Sequence, residues 1–164
     1  MDNGLTKAAL RGLATAGIVV PTALVLSACG SPTGTHAALA SVSECIRATV
    51  GVTDVASRLH SDGSPDLWVV DLYLSVDDSR ASEPDDAVKA TLECGWRIDK
   101  LEPNVVSLRV YGGPLPTELA LDRPKYEVDL TPVPDRLGLE GTSDFDSGLI
   151  VPKKSLAAFY GPRG

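Results

Sequence analysis

Apolar positions recur along this chain with two periods, and the switches between them mark out its elements. From His36 to about Thr49, Leu39, Val42, Ile46 and Thr49 or Val50 fall at helical spacing, with Cys45 on the flank of the stripe and Thr35 placed to cap it. Gly51 breaks that pattern. Val55, Ser57 and Leu59 then alternate with Asp54, Ala56, Arg58 and His60, the period of a half-buried strand. The cluster Ser61-Asp62-Gly63-Ser64-Pro65-Asp66 predicts a turn. Beyond it Trp68, Val70, Leu72, Leu74 and Val76 share one face, and Val69, Asp71, Tyr73 and Ser75 share the other. The two strands predict a hairpin, which Asp77-Asp78-Ser79 ends. A second helix is expected from near Ser82: Ser82 and Asp85 imitate a capping box, Pro84 suits a first turn, and Asp85-Asp86 suit the positive end of the dipole. Its buried stripe is Val88, Thr91/Leu92 and Gly95/Trp96, with Cys94 at the edge. Val106, Leu108 and Val110 against Val105, Ser107, Arg109 and Tyr111 predict a third strand.

The order so far, α-β-β-α-β over residues 36–112, resembles the layout of BON-type or split-βαβ modules. The resemblance stops at topology. The glycine that follows the strand alternation in BON sequences has no counterpart near Leu74-Ser75-Val76-Asp77, and no BON residue or ligand is carried over. The expected fold is α+β: a small sandwich with an antiparallel three- to four-stranded sheet and two helices on one face. Residues 113–164 read as an irregular extension. Gly112-Gly113-Pro114-Leu115-Pro116 is a loop, Tyr126, Val128 and Leu130 suggest an added edge strand, and Thr131 to Gly148 reads as loop with Pro132, Pro134, Gly138 and Gly141. Pro152 opens a short helical pattern that Gly161 closes, with Leu156, Phe159 and Tyr160 expected to pin the tail to the body.

The first 28 residues belong to a different pattern. Lys7 and Arg11 supply a positive start, and Gly12 to Leu26 is an uncharged stretch of fifteen residues. A spanning helix needs about 20 apolar residues and the apolar region of a signal peptide roughly 7–15. Gly17 and Pro21 further weaken a permanent membrane helix. The tetrapeptide Leu26-Ser27-Ala28-Cys29 resembles the lipobox of bacterial lipoproteins. That resemblance implies diacylglycerol in thioether linkage on Cys29, cleavage between Ala28 and Cys29, and optional acylation of the new amine with a chain such as palmitate. Two or more acyl chains anchor stably where one is marginal. Ordinary secretion and an uncleaved anchor are the alternatives; each still places the body outside the cytoplasm. Residues 29–35 then read as a lipidated cysteine and flexible tether.

Charge reinforces the picture. The chain has 15 Lys and Arg against 22 Asp and Glu. Removing the leader takes Lys7, Arg11 and Asp2, leaving 13 basic and 21 acidic residues and a formal charge of −8. The basic residues are scattered, so nucleic-acid binding is not expected. Attraction to anionic lipid is absent too, which leaves a covalent anchor as the means of reaching a membrane. Chiefly, this acidity serves solubility.

With Cys29 committed to lipid, Cys45 and Cys94 remain. An even remainder in an exported chain reads as one disulfide; two inert thiols or a redox-active pair are the alternatives, the latter without the usual Cys-x-x-Cys spacing. The C-terminal Ser155-Leu-Ala-Ala-Phe-Tyr-Gly161, the lipobox and the element order together resemble a set of uncharacterised small actinobacterial lipoproteins. This implies an envelope protein and transfers no functional site.

Chemistry is sparse. His36 lies beside the tether and His60 ends a strand, neither with a Cys, Asp or His at ligand spacing, so no metal and no cofactor are expected. His60 reads as an exposed loop histidine, because no Gly-x-Ser-x-Gly elbow accompanies it. The carboxylate clusters Asp77-Asp78 and Asp85-Asp86 suit a strand end and a helix start. Asp144-Phe145-Asp146 lacks the later Glu of a calcium loop. Trp96, Tyr73 and Tyr111 are candidates for a partner surface. Tyr73 and Tyr111 share a rather apolar face with Val69 and Val105, which either the C-terminal tail or a ligand covers. The expected function is a non-catalytic binding or accessory module, lipid-anchored on the outer face of the bacterial cytoplasmic membrane. Its partner is an envelope protein or small ligand that the sequence does not name. The alternatives are a structural envelope protein acting through protein contacts, or a hydrolase using paired carboxylates.

Overall fold

The first helical stripe becomes α1 (Thr35–Arg47), which buries Ala38, Val42 and Ile46. These coordinates are a computed structural model that describes residues 34–61, 63, 67–99, 101–117 and 126–163. The leader, the lipobox Leu26-Ser27-Ala28-Cys29 and most of the tether lie outside the described residues. Gly34, not Thr35, occupies the capping position of α1.

Strand alternation then places β1 (Val52–Ser61) antiparallel to β2 (Trp68–Val76), with Val55 opposite Leu74 and His60 opposite Val69. Asp77 caps a five-residue helix, α2 (Asp78–Ser82), accepting from the Arg80 amide at 3.0 Å and the Ser79 hydroxyl at 2.6 Å. The expected capping box does not form, since the Ser82 hydroxyl donates to the Ser79 carbonyl instead. The long helix α3 starts three residues later (Asp85–Trp96), with both aspartates in its first turn.

The helix carries the chain back to the end of the sheet where β2 began, so β3 (Val105–Tyr111) pairs parallel to β2. Asn104 fixes that start: its side-chain oxygen accepts from the Trp68 amide, and its own amide donates to the Trp68 carbonyl, both at 2.9 Å. Gly95 allows α3 to lie close to the sheet. A Cβ there would sit 3.0 Å from a Leu72 methyl and 3.3 Å from Val106.

The C-terminal third departs most from its sequence reading. A short helix, α4 (Val133–Leu137), precedes a hairpin of β4 (Ser143–Phe145) and β5 (Gly148–Pro152), and the chain ends in α5 (Lys153–Tyr160). β5 pairs antiparallel with β3, giving one mixed five-stranded sheet in the order β1-β2-β3-β5-β4. The fold is α+β, with two more strands than the core of the predicted module and one parallel pair among them. Residues 126–128 make only a bridge to the end of β3 (Tyr111 with Glu127), not a strand; they continue the line of β5 along the same edge.

The main hydrophobic cluster lies on one face. Val70, Leu72, Leu74, Val106, Leu108, Val110, Leu149 and Val151 from the sheet meet Ile46, Val88, Leu92, Trp96 and Leu156 from the helices. Ser31–Gly164 form one compact unit that contains this whole core. Arg136 of α4 makes a two-point ion pair with Asp85 at the start of α3, holding that carboxyl below the usual aspartate range. Among the described residues, one polar atom in the helix-covered core stays without a partner. The Thr91 hydroxyl of α3 is fully buried and unbonded. Leaving such a group unsatisfied costs about 1–3 kcal/mol. Thr91→Val, which keeps the shape and drops the hydroxyl, therefore raises stability by about 1 kcal/mol; a higher urea midpoint at unchanged slope is the check.

Candidate functional site

Helices cover one face of the sheet, and among the described residues the other face is covered only at one end. There the loop after β3 folds over: the Ser75 hydroxyl donates to the Gly113 carbonyl at 2.6 Å, and Thr53 and Ser75 hydroxyls lie 2.7 Å apart. The Gly112 amide donates to Tyr126, and Val128 donates to Val110. Tyr111 is buried beneath this segment and Tyr73 is nearly so. Burial, with Asp71 second, pushes the Tyr73 phenol up, and burial followed by Glu127 does the same for Tyr111. Both stay protonated at neutral pH. The loop after β3 and residues 126–128 thus cover the Tyr111 end of the face, while the C-terminal segment expected there packs against α3 instead and Tyr73 still lines the open cleft.

The opposite end remains a cleft of about 410 Å³. Its position follows from register. Arg58, Asp71, Ser107, Ile150 and Ser143 stand in one row across the five strands, and His60, Val69, Val105 and Pro152 in the next. Leu67, Val69, Val105 and Ile150 make a half-buried apolar floor, and Phe145 at the β4 edge is 58% exposed. Gly148 keeps the floor open beside Phe145: a Cβ there would sit 2.9 Å from the Leu108 carbonyl and 3.0 Å from the Arg109 side chain. Asp146 and Ser147, which join β4 to β5, both adopt positive φ (48° and 72°), as a two-residue hairpin turn with the right twist demands.

Polar groups ring this floor. Arg109 lies 3.4 Å from the Glu127 carboxylate and 5.8 Å from the centre of the Phe145 ring. Asp71 has two basic neighbours on β1: Arg58 directly opposite and His60 on the diagonal. It turns to His60, whose Nδ1 approaches its carboxylate to 3.1 Å without the alignment of a hydrogen bond. Arg58 is left exposed at the rim, with no ion pair among the described residues. His60 is therefore a strand residue with a carboxylate beside it rather than a loop histidine. Sequence spacing hides the pair, since the two residues are eleven apart; the hairpin register, once known, makes them diagonal neighbours.

The other singled-out residues fall elsewhere. Cys45 of α1 and Cys94 of α3 form a disulfide, with Cα atoms 5.9 Å apart. Trp96 is not a surface residue: it is 2% exposed, its indole N–H donates to the Gly161 carbonyl at 3.2 Å, and Arg163 covers its ring at 5.4 Å. His36 is exposed in the first turn of α1. Asp77 is a cap and Asp85 an ion-pair partner, while Asp144 and Asp146 belong to the hairpin, so the paired acids serve local structure. Among the described residues no three of His, Cys, Asp and Glu come together in a way that would hold a metal ion. The sequence reading missed Phe145, Gly148 and Ile150, whose apolar run Leu149-Ile150-Val151 between Gly148 and Pro152 was the available signal.

The cleft can seat an apolar body and orient a charged group. No known protein family, no curated protein and no solved structure matches this chain.

Proposed function

We propose that this protein is a lipid-anchored module of the bacterial envelope that binds a ligand on the open face of its sheet, with no reaction of its own. The observation that carries the binding role is the uncovered end of that face: an apolar floor of Leu67, Val69, Val105 and Ile150 edged by Phe145, Arg58, His60 and Arg109. Half-buried aliphatic side chains beside unpaired charge suit a binding surface better than a solvated one. The address rests on Leu26-Ser27-Ala28-Cys29 and the apolar stretch before it. A disulfide within the body suits an oxidising compartment.

The test has two readouts. Intact-mass analysis of the membrane fraction is expected to find a chain beginning at Cys29 with added acyl mass, and Cys29→Ala is expected to move the body out of that fraction. An unprocessed or unacylated chain there defeats the address. For the surface, a photo-crosslinking side chain at Val105 is expected to form an adduct in cells that the same group at Val50, 76% exposed elsewhere, does not. Equal labelling at both positions would favour the alternative of a structural envelope component.

A further inference from the structure

The cleft carries more than the bare statement that something binds. β1 and β4 are the two edges of the sheet, four strand spacings apart, or about 19 Å. Basic side chains stand at the β1 end, Arg58 and His60, while Val69, Val105, Ile150 and Phe145 extend across β2, β3, β5 and β4. The cleft therefore has a basic end at Arg58 and His60 and an apolar track that runs to the exposed Phe145 ring, beside which the third basic residue, Arg109, is already met by Glu127.

Sign follows from the pairing. Asp71 is the acid within the cleft lining, its side chain is only 13% exposed, and His60 stands against it. Arg109 is met by Glu127. Among the described residues Arg58 makes no ion pair, since Asp71, directly opposite it, turns to His60. A cation entering the basic end would meet an arginine and a histidine and find its one attractive carboxylate already shielded. An anion would complete the guanidinium's coordination, which Arg does by paired N–H donors. The volume of about 410 Å³ lies in the lower part of the range for small-molecule sites.

Resting on the binding role proposed above, we infer that the ligand is a soluble amphipathic anion, a linear apolar body with a single carboxylate, its head on Arg58 and its body along Val69, Val105 and Ile150 to Phe145. A second copy of this chain and an anionic membrane surface are the competing occupants.

The compact unit, residues 31–164, holds the whole core and is the material for the test. Amide shifts are followed by NMR during titration with dodecanoate, dodecylammonium and acetate, each kept below aggregation, and with phosphatidylglycerol vesicles. Dodecanoate is expected to shift β2, β3 and β5 amides and those around Phe145. Dodecylammonium should bind at least about tenfold more weakly, as the loss of one charge-assisted pair implies, and acetate not measurably. Arg58→Ala should weaken dodecanoate by about tenfold at unchanged melting temperature, and Phe145→Ala should weaken it without altering the preference for the anion.

Equal affinity for the two dodecyl probes, or Arg58→Ala without effect, overturns the ligand class while leaving the face as a binding surface. Shifts with vesicles but not with free dodecanoate overturn it in favour of a membrane surface. Concentration-dependent shifts of the same amides without any probe overturn it in favour of a second copy. If no probe moves the face and Val105 also gives no specific adduct in cells, the binding role itself falls.

Discussion

Replacing Cys45 and Cys94 together by alanine lowers the stability of the folded unit by about 4 kcal/mol on chain-entropy grounds, the value for a closed loop of about 50 residues. The sequence separation of the pair is 49. The loss is large because of what the bond encloses: β1, β2, α2 and most of α3 lie between the two sulfurs. It is also uneven in space. α1 contributes only Ala38, Val42 and Ile46 to the core and packs at the β1 edge of the sheet, so the disulfide to α3 is a principal tie on that helix. Reduction should therefore release α1 first. Hydrogen exchange is expected to show the α1 amides losing protection under reductant while β2, β3 and β5 keep theirs, and the melting temperature should fall by roughly 10–20 °C. Uniform loss of protection would mean that the sheet depends on the bond as well. No change in stability would mean that the pair is dispensable and the fold is held by its core alone.

Trp96→Ala is expected to cost a similar amount, about 3–5 kcal/mol, the range for truncating a buried aromatic side chain. Trp96 sits at the end of α3, 2% exposed. Its ring supports the Arg163 guanidinium, which also donates to the carbonyls of Ile98 and Leu101, and its N–H holds the Gly161 carbonyl. The C-terminal segment is thus bound through one side chain that also fills the core. Tyr160 adds a second tie, donating its hydroxyl to the Lys89 carbonyl at 2.6 Å; burial of that phenol pushes it far above its usual range, so the donor keeps its proton throughout the physiological range. Urea unfolding measures the stability loss, and hydrogen exchange should show the α5 amides losing protection before the global transition. Trp96→Phe separates the contributions: it keeps most of the packing, loses one hydrogen bond, and should cost only about 1 kcal/mol. Equal losses for the two variants would put the whole effect on the N–H and contradict the packing argument.

These two effects mark where local pattern and long-range contact part company. The periods of residues 36–111 carry α1, α3 and β1 to β3. Val42 and Ile46 one turn apart, Leu72, Leu74 and Val76 two by two, and Val106, Leu108 and Val110 likewise point to one core face, and each is buried there. Their handedness as helix or strand follows from backbone geometry that neighbouring residues share, so it can be read without knowing the fold. The disulfide was the expected reading of an even cysteine remainder, with free thiols and a redox pair left open, and the packing of α1 beside α3 decides it.

The candidate site has no such local signature. Arg58, Asp71, Ser107 and Ile150 form a row only because strand register sets them side by side over a span of more than ninety residues. His60 reaches Asp71 for the same reason. The direction of β3 was equally hidden: an alternating run looks the same whether its neighbour runs parallel or antiparallel, and the length of the α3 crossover decides which end it starts from. Trp96 shows the converse, an aromatic that ends a helix and is buried only because the last residues of the chain fold back over it.

What the amino acids determined alone is therefore the short-range part: the helices α1 and α3, the strands β1 to β3, and the lipobox pattern that motivates the proposed address. Only the tertiary structure decided that β5 joins β3, that a β4 hairpin brings Phe145 to the far edge, and that the segment after β3 covers Tyr111 while, among the described residues, the other end of the face stays open. The physical reason is one of range. Periodicity records which side of an element meets the core, and a binding surface is made by sides that face away from it, where the pattern of polar and apolar residues answers to neighbours on other strands.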